Sequence, residues 1–233
     1  MIKTKLFVDG ADLESLKIAS EQDSVAGITT NPTLMAKSGV RDYIEFARNL
    51  LSIVTNKSVS LEVFSDDFTE MERQAIFLNN LGRNVYVKIP IMNTRGDYAY
   101  DLIKRLSSQN IKVNVTAILS FDQVKGLTNC LNPEIPNYVS VFAGRIADTG
   151  VDPLPTLIST INYLAGSHLH EVIWASPREV LNYYQANQIG CHIITMTKDL
   201  INKLSLEGKN LEDYSRETVE MFRRDALNAG FSI

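Results

Sequence analysis

Strand-like and helix-like segments alternate along the whole chain, and this alternation restricts its fold more than any other feature. Short runs rich in Val, Ile, Phe and Tyr recur at regular distances, and most are followed by a segment with helical spacing of apolar residues. This order is typical of βα units that form a parallel sheet. The predicted strands lie at 5–10, 25–30, 58–65, 84–91, 112–119, 138–144, 171–176 and 191–196.

Chain length favours one of the two common βα architectures. Divided among eight units, the 233 residues give about 29 residues each, which suits a compact (β/α)8 TIM barrel. A doubly wound open sheet usually has fewer strands. We therefore predict an α/β fold, with residues 1–233 forming a single TIM-barrel domain. The segment 211–229 is predicted to be an additional C-terminal helix, which either closes the bottom of the barrel or packs on a neighbouring subunit.

Helical periodicity and capping signals place the helices between the strands. Ser120 and Ser176 each begin a capping-box pattern, with Gln123 and Glu179 three residues later. Pro177 then occupies the first position of the predicted helix after the seventh strand. The clearest predicted helices are 43–51, 68–81, 98–106, 154–164 and 178–186.

Composition excludes several classes of function. The chain has 23 basic and 27 acidic residues, so it lacks the basic excess expected of a nucleic-acid-binding protein. Two cysteines cannot form a disulfide framework, and no apolar run reaches the length of a signal core or a membrane span. We therefore expect a cytoplasmic protein with no membrane or nucleic-acid partner. Neither a nucleotide-binding glycine motif nor the spacing of a metal site is found, so no cofactor or metal is predicted.

Alternation within the strands collects polar side chains on one face. In the third strand, Val59, Leu61 and Val63 share an apolar face, while Ser60 and Glu62 point the opposite way. The apolar face should lie under the helices, so the opposite face lines the barrel interior. The residues predicted to share the lumen are Asp9, Glu62, Lys88, Asn114, Thr116 and Ser140, with Phe64 and Ile118 on the same face.

These buried polar side chains suggest covalent chemistry on a carbonyl compound. Burying an unpaired charge costs roughly several kcal/mol, so these charged side chains must either pair with one another or serve a function. Burial among apolar neighbours favours the neutral, nucleophilic amine of a lysine, and Lys88 is therefore the predicted Schiff-base residue. A Schiff base withdraws electrons from an adjacent C–C bond, and Glu62 and Asp9 are candidates for the proton transfers that bond cleavage requires.

Basic residues after the sixth and seventh strands predict an anion site. Arg145 follows strand six, and Arg178 with Ser176 is expected in the first helical turn after strand seven, where a helix N-terminus attracts anions. Barrels often bind phosphate near strands seven and eight. The alternative is a surface pair between Arg145 and Asp148, with Arg178 solvated on its helix. An anion site opposite a Schiff-base lysine predicts a sugar phosphate substrate.

Several motifs, each on its own predicted strand, resemble the transaldolase family, particularly the small subfamily that includes fructose-6-phosphate aldolase. The resemblance covers nearly the whole chain, and the Thr-Thr-Asn-Pro-Thr and Val-Lys-Ile-Pro segments are specific in combination. The matching segments are Phe7-Val-Asp9, Gly27-Ile-Thr-Thr-Asn-Pro-Thr-Leu34, Glu62, Tyr86-Val-Lys-Ile-Pro90, Asn114-Val-Thr116, Ser140-Val-Phe-Ala-Gly-Arg-Ile146 and Ala175-Ser-Pro-Arg178.

The resemblance implies a role for each matching residue. Lys88 would form a Schiff base with C2 of a ketose phosphate, Glu62 and Thr116 would hold the water that relays protons, and Asp9 would take the C4 hydroxyl proton. Asn31, Asn114 and Ser140 would hold the dihydroxyacetone portion, while Arg145, Ser176 and Arg178 would bind the phosphate. The substrate-binding residues implied are Thr30, Asn31, Asn114, Ser140, Phe142, Arg145, Ser176 and Arg178.

The resemblance further implies a transaldolase that needs no cofactor. The donor would be sedoheptulose 7-phosphate or fructose 6-phosphate, and the acceptor an aldose phosphate such as erythrose 4-phosphate. By the same resemblance, the chain would form a homo-oligomer: a ring of five subunits, which can pair into a decamer, with the C-terminal helix crossing to a neighbouring subunit. Segment 211–229 could serve that purpose here.

Two positions bear on the reaction type. The resemblance implies that aldolases of this group carry Gln at the position of Glu62 and Tyr at the position of Phe142. The residues present here therefore favour the transferase. An aldolase that releases free dihydroxyacetone remains an alternative. Gly10 and Pro177 depart from the usual pattern, which leaves open a sugar with another anionic terminus, such as a sulfonate. A catalytically silent barrel that binds a sugar phosphate or serves in an assembly is the remaining hypothesis.

Overall fold

Eight parallel strands close into a barrel in the computed structural model, which describes residues 3–127 and 129–233. Each strand pairs with its neighbours in sequence, and β1 closes the barrel against β8. The predicted TIM barrel and all eight predicted strands are confirmed. The strands are β1 (Lys5–Asp9), β2 (Val25–Thr29), β3 (Ser58–Glu62), β4 (Val85–Pro90), β5 (Val113–Ile118), β6 (Asn137–Val141), β7 (His170–Trp174) and β8 (Ile193–Thr197).

Helices cover the outside of the barrel, and the five predicted from periodicity are present with bounds within three residues of those expected. None of the helices in the described residues is both long and apolar enough to cross a membrane. The helices are α1 (Leu13–Ser20), α2 (Pro32–Lys37), α3 (Tyr43–Ile53), α4 (Phe68–Asn79), α5 (Tyr100–Ser108), α6 (Phe121–Lys125), α7 (Ala143–Ala147), α8 (Leu154–Leu164), α9 (Leu181–Gln188), α10 (Lys198–Asn202) and α11 (Leu211–Asn228).

One of the two predicted capping boxes is present and the other is wrong. Ser120 caps α6 and Gln123 bonds back to it, as the pattern predicted. Ser176 instead has φ +58°, in the left-handed region, whereas a side-chain N-cap adopts extended backbone. Helix α9 therefore begins only at Leu181, and Arg178 lies in the loop before it rather than in its first turn.

An aromatic cluster fills the lower part of the barrel lumen. The Tyr86 and Tyr138 rings stack with centroids 4.0 Å apart, and Phe7 meets Tyr138 edge-on at 5.7 Å. Each such pair contributes about 0.5–1.5 kcal/mol beyond its buried area. Gly27 leaves space for this cluster, because a Cβ there would lie 2.6 Å from the Phe7 ring. These packed side chains form a closed floor beneath the upper lumen.

The predicted side-chain alternation holds through the strands and fails at two of their upper ends. Ala117 has φ +60° and the β5–β6 register shifts there, so Ile118 packs under the helices and not in the lumen. Phe64 lies past the end of β3, where it is 63% exposed and meets Tyr43 edge-on at 5.4 Å. The lumen assignments of Ile118 and Phe64 were therefore wrong.

The C-terminal helix makes few contacts with the rest of the chain. Helix α11 has no buried residue, although Leu211, Val219 and Phe222 are large apolar side chains and Phe222 is 63% exposed. Asn210 caps the helix, and pairs such as Arg216 with Glu220 support its polar side. Helix α11 thus presents an apolar surface that its own barrel does not cover.

Candidate active site

A cavity of about 360 Å³ opens at the carboxyl ends of the strands, above the aromatic floor. This volume lies within the range of small-molecule sites, and the carboxyl-terminal face is where TIM barrels place their active sites. The predicted site residues that line it are Asp9, Asn31, Glu62, Lys88, Asn114, Thr116, Ser140, Phe142, Arg145, Ser176 and Arg178.

Lys88 lies at the centre of the cavity wall and has two oxygen partners. Its Nζ lies 2.9 Å from Glu62 Oε2 and donates to the Thr30 carbonyl oxygen at 2.8 Å. The Cα atoms of Glu62 and Lys88 are register partners on β3 and β4, so the sheet places the two side chains next to each other. Lys88 is only 6% exposed, and the exposed fraction faces the cavity. The amine is therefore held beside a carboxylate that can accept its proton.

Asp9 is held at the end of β1 by two neighbouring side chains. Its Oδ1 accepts from the Thr29 hydroxyl at 2.8 Å and its Oδ2 from Asn31 Nδ2 at 3.3 Å. Asn31 is fixed in turn, because its Oδ1 accepts the backbone N–H of Leu34 and caps α2. Burial raises the pKa of Asp9, and this effect outweighs the opposing attraction of Lys88. Asp9 is thus a carboxylate suited to taking a proton from substrate.

Asn114 and Ser140 form a rigid polar chain across the barrel. Ser140 Oγ donates to Asn114 Oδ1 at 2.7 Å, and Asn114 Nδ2 donates to Ser60 Oγ at 3.0 Å. All three side chains are buried in the lumen. Asn114 is also the register partner of Lys88 on β5, so its amide lies at the level of the amine. These groups can bind hydroxyls of a substrate attached at Lys88.

Thr116 carries a buried hydroxyl for which the described residues provide no hydrogen-bond partner. The residue is 1% exposed and lines the cavity two positions beyond Asn114 on β5. An unpaired buried hydroxyl costs about 1–3 kcal/mol, and such groups often hold an ordered water. The site at Thr116 is thus suited to a bound water or a substrate oxygen.

Thr30 does not line the cavity. Its hydroxyl donates to the Ser60 carbonyl at 3.0 Å, and its own carbonyl accepts from Lys88. Its side chain is fully buried beneath the site. Thr30 therefore orients the lysine through its backbone, which differs from the direct substrate contact expected for it.

At the basic end of the cavity, the expected surface pair between Arg145 and Asp148 is wrong, whereas the anion site remains a prediction. Asp148 pairs with Arg178 and not with Arg145, since Arg178 Nε donates to Asp148 Oδ1 at 3.0 Å and its Nη2 donates to Oδ2. This bidentate bond lowers the pKa of Asp148. Arg145 and Arg178 both line the cavity, with Ser176 between them in chain order. Two guanidinium groups thus face the same opening as Lys88.

Sequence reasoning missed two threonines that extend the Asp9 network. Thr29 Oγ1 bonds to Asp9 and lies 2.6 Å from Thr195 Oγ1, and both threonines line the cavity. Alternation on β2 and β8 could have found them, because Thr29 follows Gly27 and Thr195 follows Ile193 on the lumen face. Across residues 3–127 and 129–233, His, Cys, Asp and Glu form no cluster that could hold a metal ion.

Comparison with known proteins identifies similar chains over nearly the whole length. The family model described as transaldolase/fructose-6-phosphate aldolase matches residues 6–233. A probable transaldolase from Thermoanaerobacter is 32% identical over 98% of this chain and 100% of its own, and one from Methanococcus maripaludis is 37% identical over 86% and 89%. A thiamine phosphate pyrophosphorylase structure from Pyrococcus furiosus superposes with a TM-score of 0.56 at 14% identity, covering 84% and 86%. That likeness concerns the fold alone.

Proposed function

Since the chain belongs to the transaldolase/fructose-6-phosphate aldolase family, we propose that it is a transaldolase that works through a Schiff base on Lys88. It transfers a dihydroxyacetone unit from a ketose phosphate, fructose 6-phosphate or sedoheptulose 7-phosphate, to an aldose phosphate. The observation that carries the proposal is the placement of a nearly buried Lys88 amine 2.9 Å from Glu62 in a cavity that also contains Asp9.

In the first half of the reaction, the Lys88 amine attacks the C2 carbonyl of the donor. Glu62 takes one proton from the Lys88 ammonium, which frees the amine for this attack. That proton and a second one from the attacking nitrogen then pass, through a water beside Thr116, to the carbonyl oxygen, which leaves as water while the nitrogen keeps its third hydrogen. The product is a protonated imine. Asp9 then removes the C4 hydroxyl proton, the C3–C4 bond breaks, and its electron pair moves toward the imine nitrogen. An aldose phosphate leaves, and an enamine of dihydroxyacetone stays on Lys88.

In the second half, the enamine attacks the carbonyl carbon of the acceptor aldehyde. Asp9 returns its proton to the new C4 oxygen, and hydrolysis of the imine releases the product ketose and the free amine. Asn114 and Ser140 are proposed to hold the hydroxyls of the three-carbon unit throughout, and Arg145 and Arg178 to bind the phosphate of either substrate. Electrons and protons balance within the two substrates, so the proposed reaction requires no cofactor.

The lysine adduct provides the direct test. Borohydride reduction in the presence of fructose 6-phosphate should attach a reduced three-carbon unit to the peptide containing Lys88. Lys112 serves as an internal control, because burial lowers its pKa but it lies below the aromatic floor, over the Tyr86 ring. An adduct on Lys112, or none on Lys88, would contradict the proposal. Lys88→Met should abolish both adduct and turnover.

Transaldolase and aldolase activities can be distinguished by the fate of the three-carbon unit bound to Lys88. Phe142 lines the cavity and has no hydroxyl, which supports transfer, because no phenol is there to assist hydrolysis of the enamine adduct. We expect dihydroxyacetone to accumulate slowly from fructose 6-phosphate alone, and product to form rapidly once erythrose 4-phosphate is added. Equal rates with and without the acceptor would favour the aldolase.

We also propose that the active form is a homo-oligomer, a pentamer or a decamer, in which α11 packs on a neighbouring subunit. The support is the apolar side of α11, including Val219 and Phe222, which its own barrel leaves exposed. Truncation after Glu207 should lower the particle mass measured by light scattering. Arg216→Ala, on the same helix but in an exposed ion pair, should leave that mass unchanged. An unchanged assembly after truncation would contradict this proposal.

A further inference from the structure

Helix α7, which follows β6, lies in close contact with the loop that follows β7. At Gly144 an added Cβ would lie 1.7 Å from the Ser176 carbonyl oxygen and 3.0 Å from Arg178 Nε. Only glycine permits this approach. Ser176 has φ +58°, a conformation that is uncommon for a residue with a side chain and is retained only where its surroundings enforce it. The first turn of α7 therefore shapes the loop that carries Ser176 and Arg178.

The end of α7 holds the same loop at a second point. Asp148, directly after the helix, accepts from both Nε and Nη2 of Arg178, which leaves Nη1 outside the pair. The two side chains are 47% and 46% exposed, so the pair adds little to the stability of the fold. Its main physical effect is on geometry, since two parallel bonds fix the plane of the guanidinium.

We propose that Asp148 is a positioning residue for the anion site, holding Arg178 so that its remaining N–H groups face the phosphate of the sugar substrate. This inference rests on the proposed function. The free arginine side chain would otherwise sample several rotamers and lose that freedom on binding, a cost that corresponds to about three- to tenfold in affinity. The fixed guanidinium avoids this loss.

The negative charge of Asp148 acts in the opposite direction, because it repels an anion. At the exposed rim, water and salt screen that repulsion. Salt also weakens the charge attraction within the pair, but the direction of its two hydrogen bonds still sets the plane of the Arg178 guanidinium. At the basic end of the cavity, Arg145 and Arg178 together still exceed Asp148 by one positive charge. We therefore expect positioning to dominate at physiological ionic strength.

The test compares Asp148→Ala with Glu72→Ala, which removes another arginine–carboxylate pair, with Arg105, outside the cavity. Three quantities are measured for the full-length protein: KM for fructose 6-phosphate, inhibition by inorganic phosphate, and the rate at which borohydride traps dihydroxyacetone on Lys88. Dihydroxyacetone has no phosphate, so trapping reports the lysine alone. For Asp148→Ala, KM and the phosphate inhibition constant should rise about three- to tenfold, with a smaller change in trapping. Glu72→Ala should leave all three at wild-type values.

Asp148→Asn gives a second, independent check, because the amide oxygen can still accept from Arg178 Nε while the charge is lost. Its phosphate inhibition constant should lie between those of the wild type and Asp148→Ala. Tighter phosphate binding in both variants would overturn the inference and leave repulsion as the only role of Asp148. An equal loss in all three quantities would indicate a structural role and would also overturn it. Failure of the wild type to be trapped at Lys88 would instead contradict the proposed function itself.

Discussion

The Glu62 carboxylate and the Lys88 amine lie 2.9 Å apart at the same level of two neighbouring strands. Because β3 and β4 are hydrogen-bonded in parallel register, the Cα atoms of the two residues are fixed side by side, and burial restricts the Lys88 side chain to the cavity wall. Burial removes Lys88 and most of Glu62 from water, and the cost of this desolvation offsets much of the attraction between the charges, so such a pair contributes little net stability. An ordered charged pair that contributes little to stability is better explained by chemistry.

The variant Glu62→Gln should distinguish a catalytic role of Glu62 from a role in stability. The glutamine oxygen can still accept from Lys88, so the fold and the melting temperature should change little. Loss of the proton acceptor should slow imine formation by about 10²-fold or more. Rapid-mixing measurement of the borohydride-trapped adduct checks this, with Glu72→Gln on the surface as the control. Wild-type rates of imine formation in Glu62→Gln would remove Glu62 from the mechanism.

Asp9 predicts how activity and stability depend on pH. Burial raises its pKa, and the proposed mechanism requires its ionised form, so the acidic limb of kcat/KM should lie above the ordinary range of an aspartate. At pH values between the ordinary pKa of an aspartate and the raised pKa of Asp9, the folded state binds more protons than the unfolded state. Stability from this group is therefore present at low pH and is lost as pH rises through the raised pKa.

Asp9→Asn should accordingly be inactive and, near neutral pH, more stable than the wild type. Its amide oxygen can accept from Asn31, while its N–H group can donate to Thr29, whose hydroxyl then donates to Thr195. Melting temperatures at about pH 4 and about pH 7 test this, with the difference expected to grow at the higher pH. A lower melting temperature for Asp9→Asn at both pH values would contradict the argument.

Thr116 offers a comparison of activity against stability. Thr116→Val keeps the shape but removes a buried hydroxyl that lacks a partner among the described residues, so the free energy of unfolding should stay the same or rise by up to about 1 kcal/mol. The proposed water would lose a ligand, and turnover should fall about tenfold or more. Denaturant unfolding and steady-state kinetics measure the two effects. A loss of stability without a loss of turnover would assign Thr116 a structural role.

Much of the barrel and of its catalytic centre follows from alternation along the strands. In β3, β4 and β5 every second residue faces the helices, and this alternation alone predicts that Glu62, Lys88 and Asn114 lie together in the lumen. Such alternation is a local property of the chain, so the sequence reveals it. The same pattern on β2 and β8 places Thr29 and Thr195 in the lining of the same cavity.

The remaining features depend on backbone conformations that the sequence does not signal. Ala117 and Ser176 adopt positive φ although neither is glycine, so a register shift at Ala117 and the delayed start of α9 could not be predicted from capping patterns. The predicted partner of Asp148 was Arg145, its neighbour in sequence, whereas its hydrogen-bond partner is Arg178, 30 residues away. In each case, contacts between segments that are distant in the sequence determine the backbone conformation or the side-chain partner.

Gly144→Ala should damage the anion end of the site while sparing the lysine. The added methyl would overlap the Ser176 carbonyl oxygen, a backbone atom that can move only with its loop, so the free energy of unfolding should fall by about 1–3 kcal/mol. Because the displaced loop also carries Arg178, inhibition by inorganic phosphate should weaken about tenfold, whereas dihydroxyacetone trapping should change less. Gly166→Ala is the matched control, since an added Cβ there meets no atom within 4 Å. Unaltered phosphate inhibition in a destabilised Gly144→Ala protein would mean that the contact between α7 and this loop supports the fold but not the binding of anions.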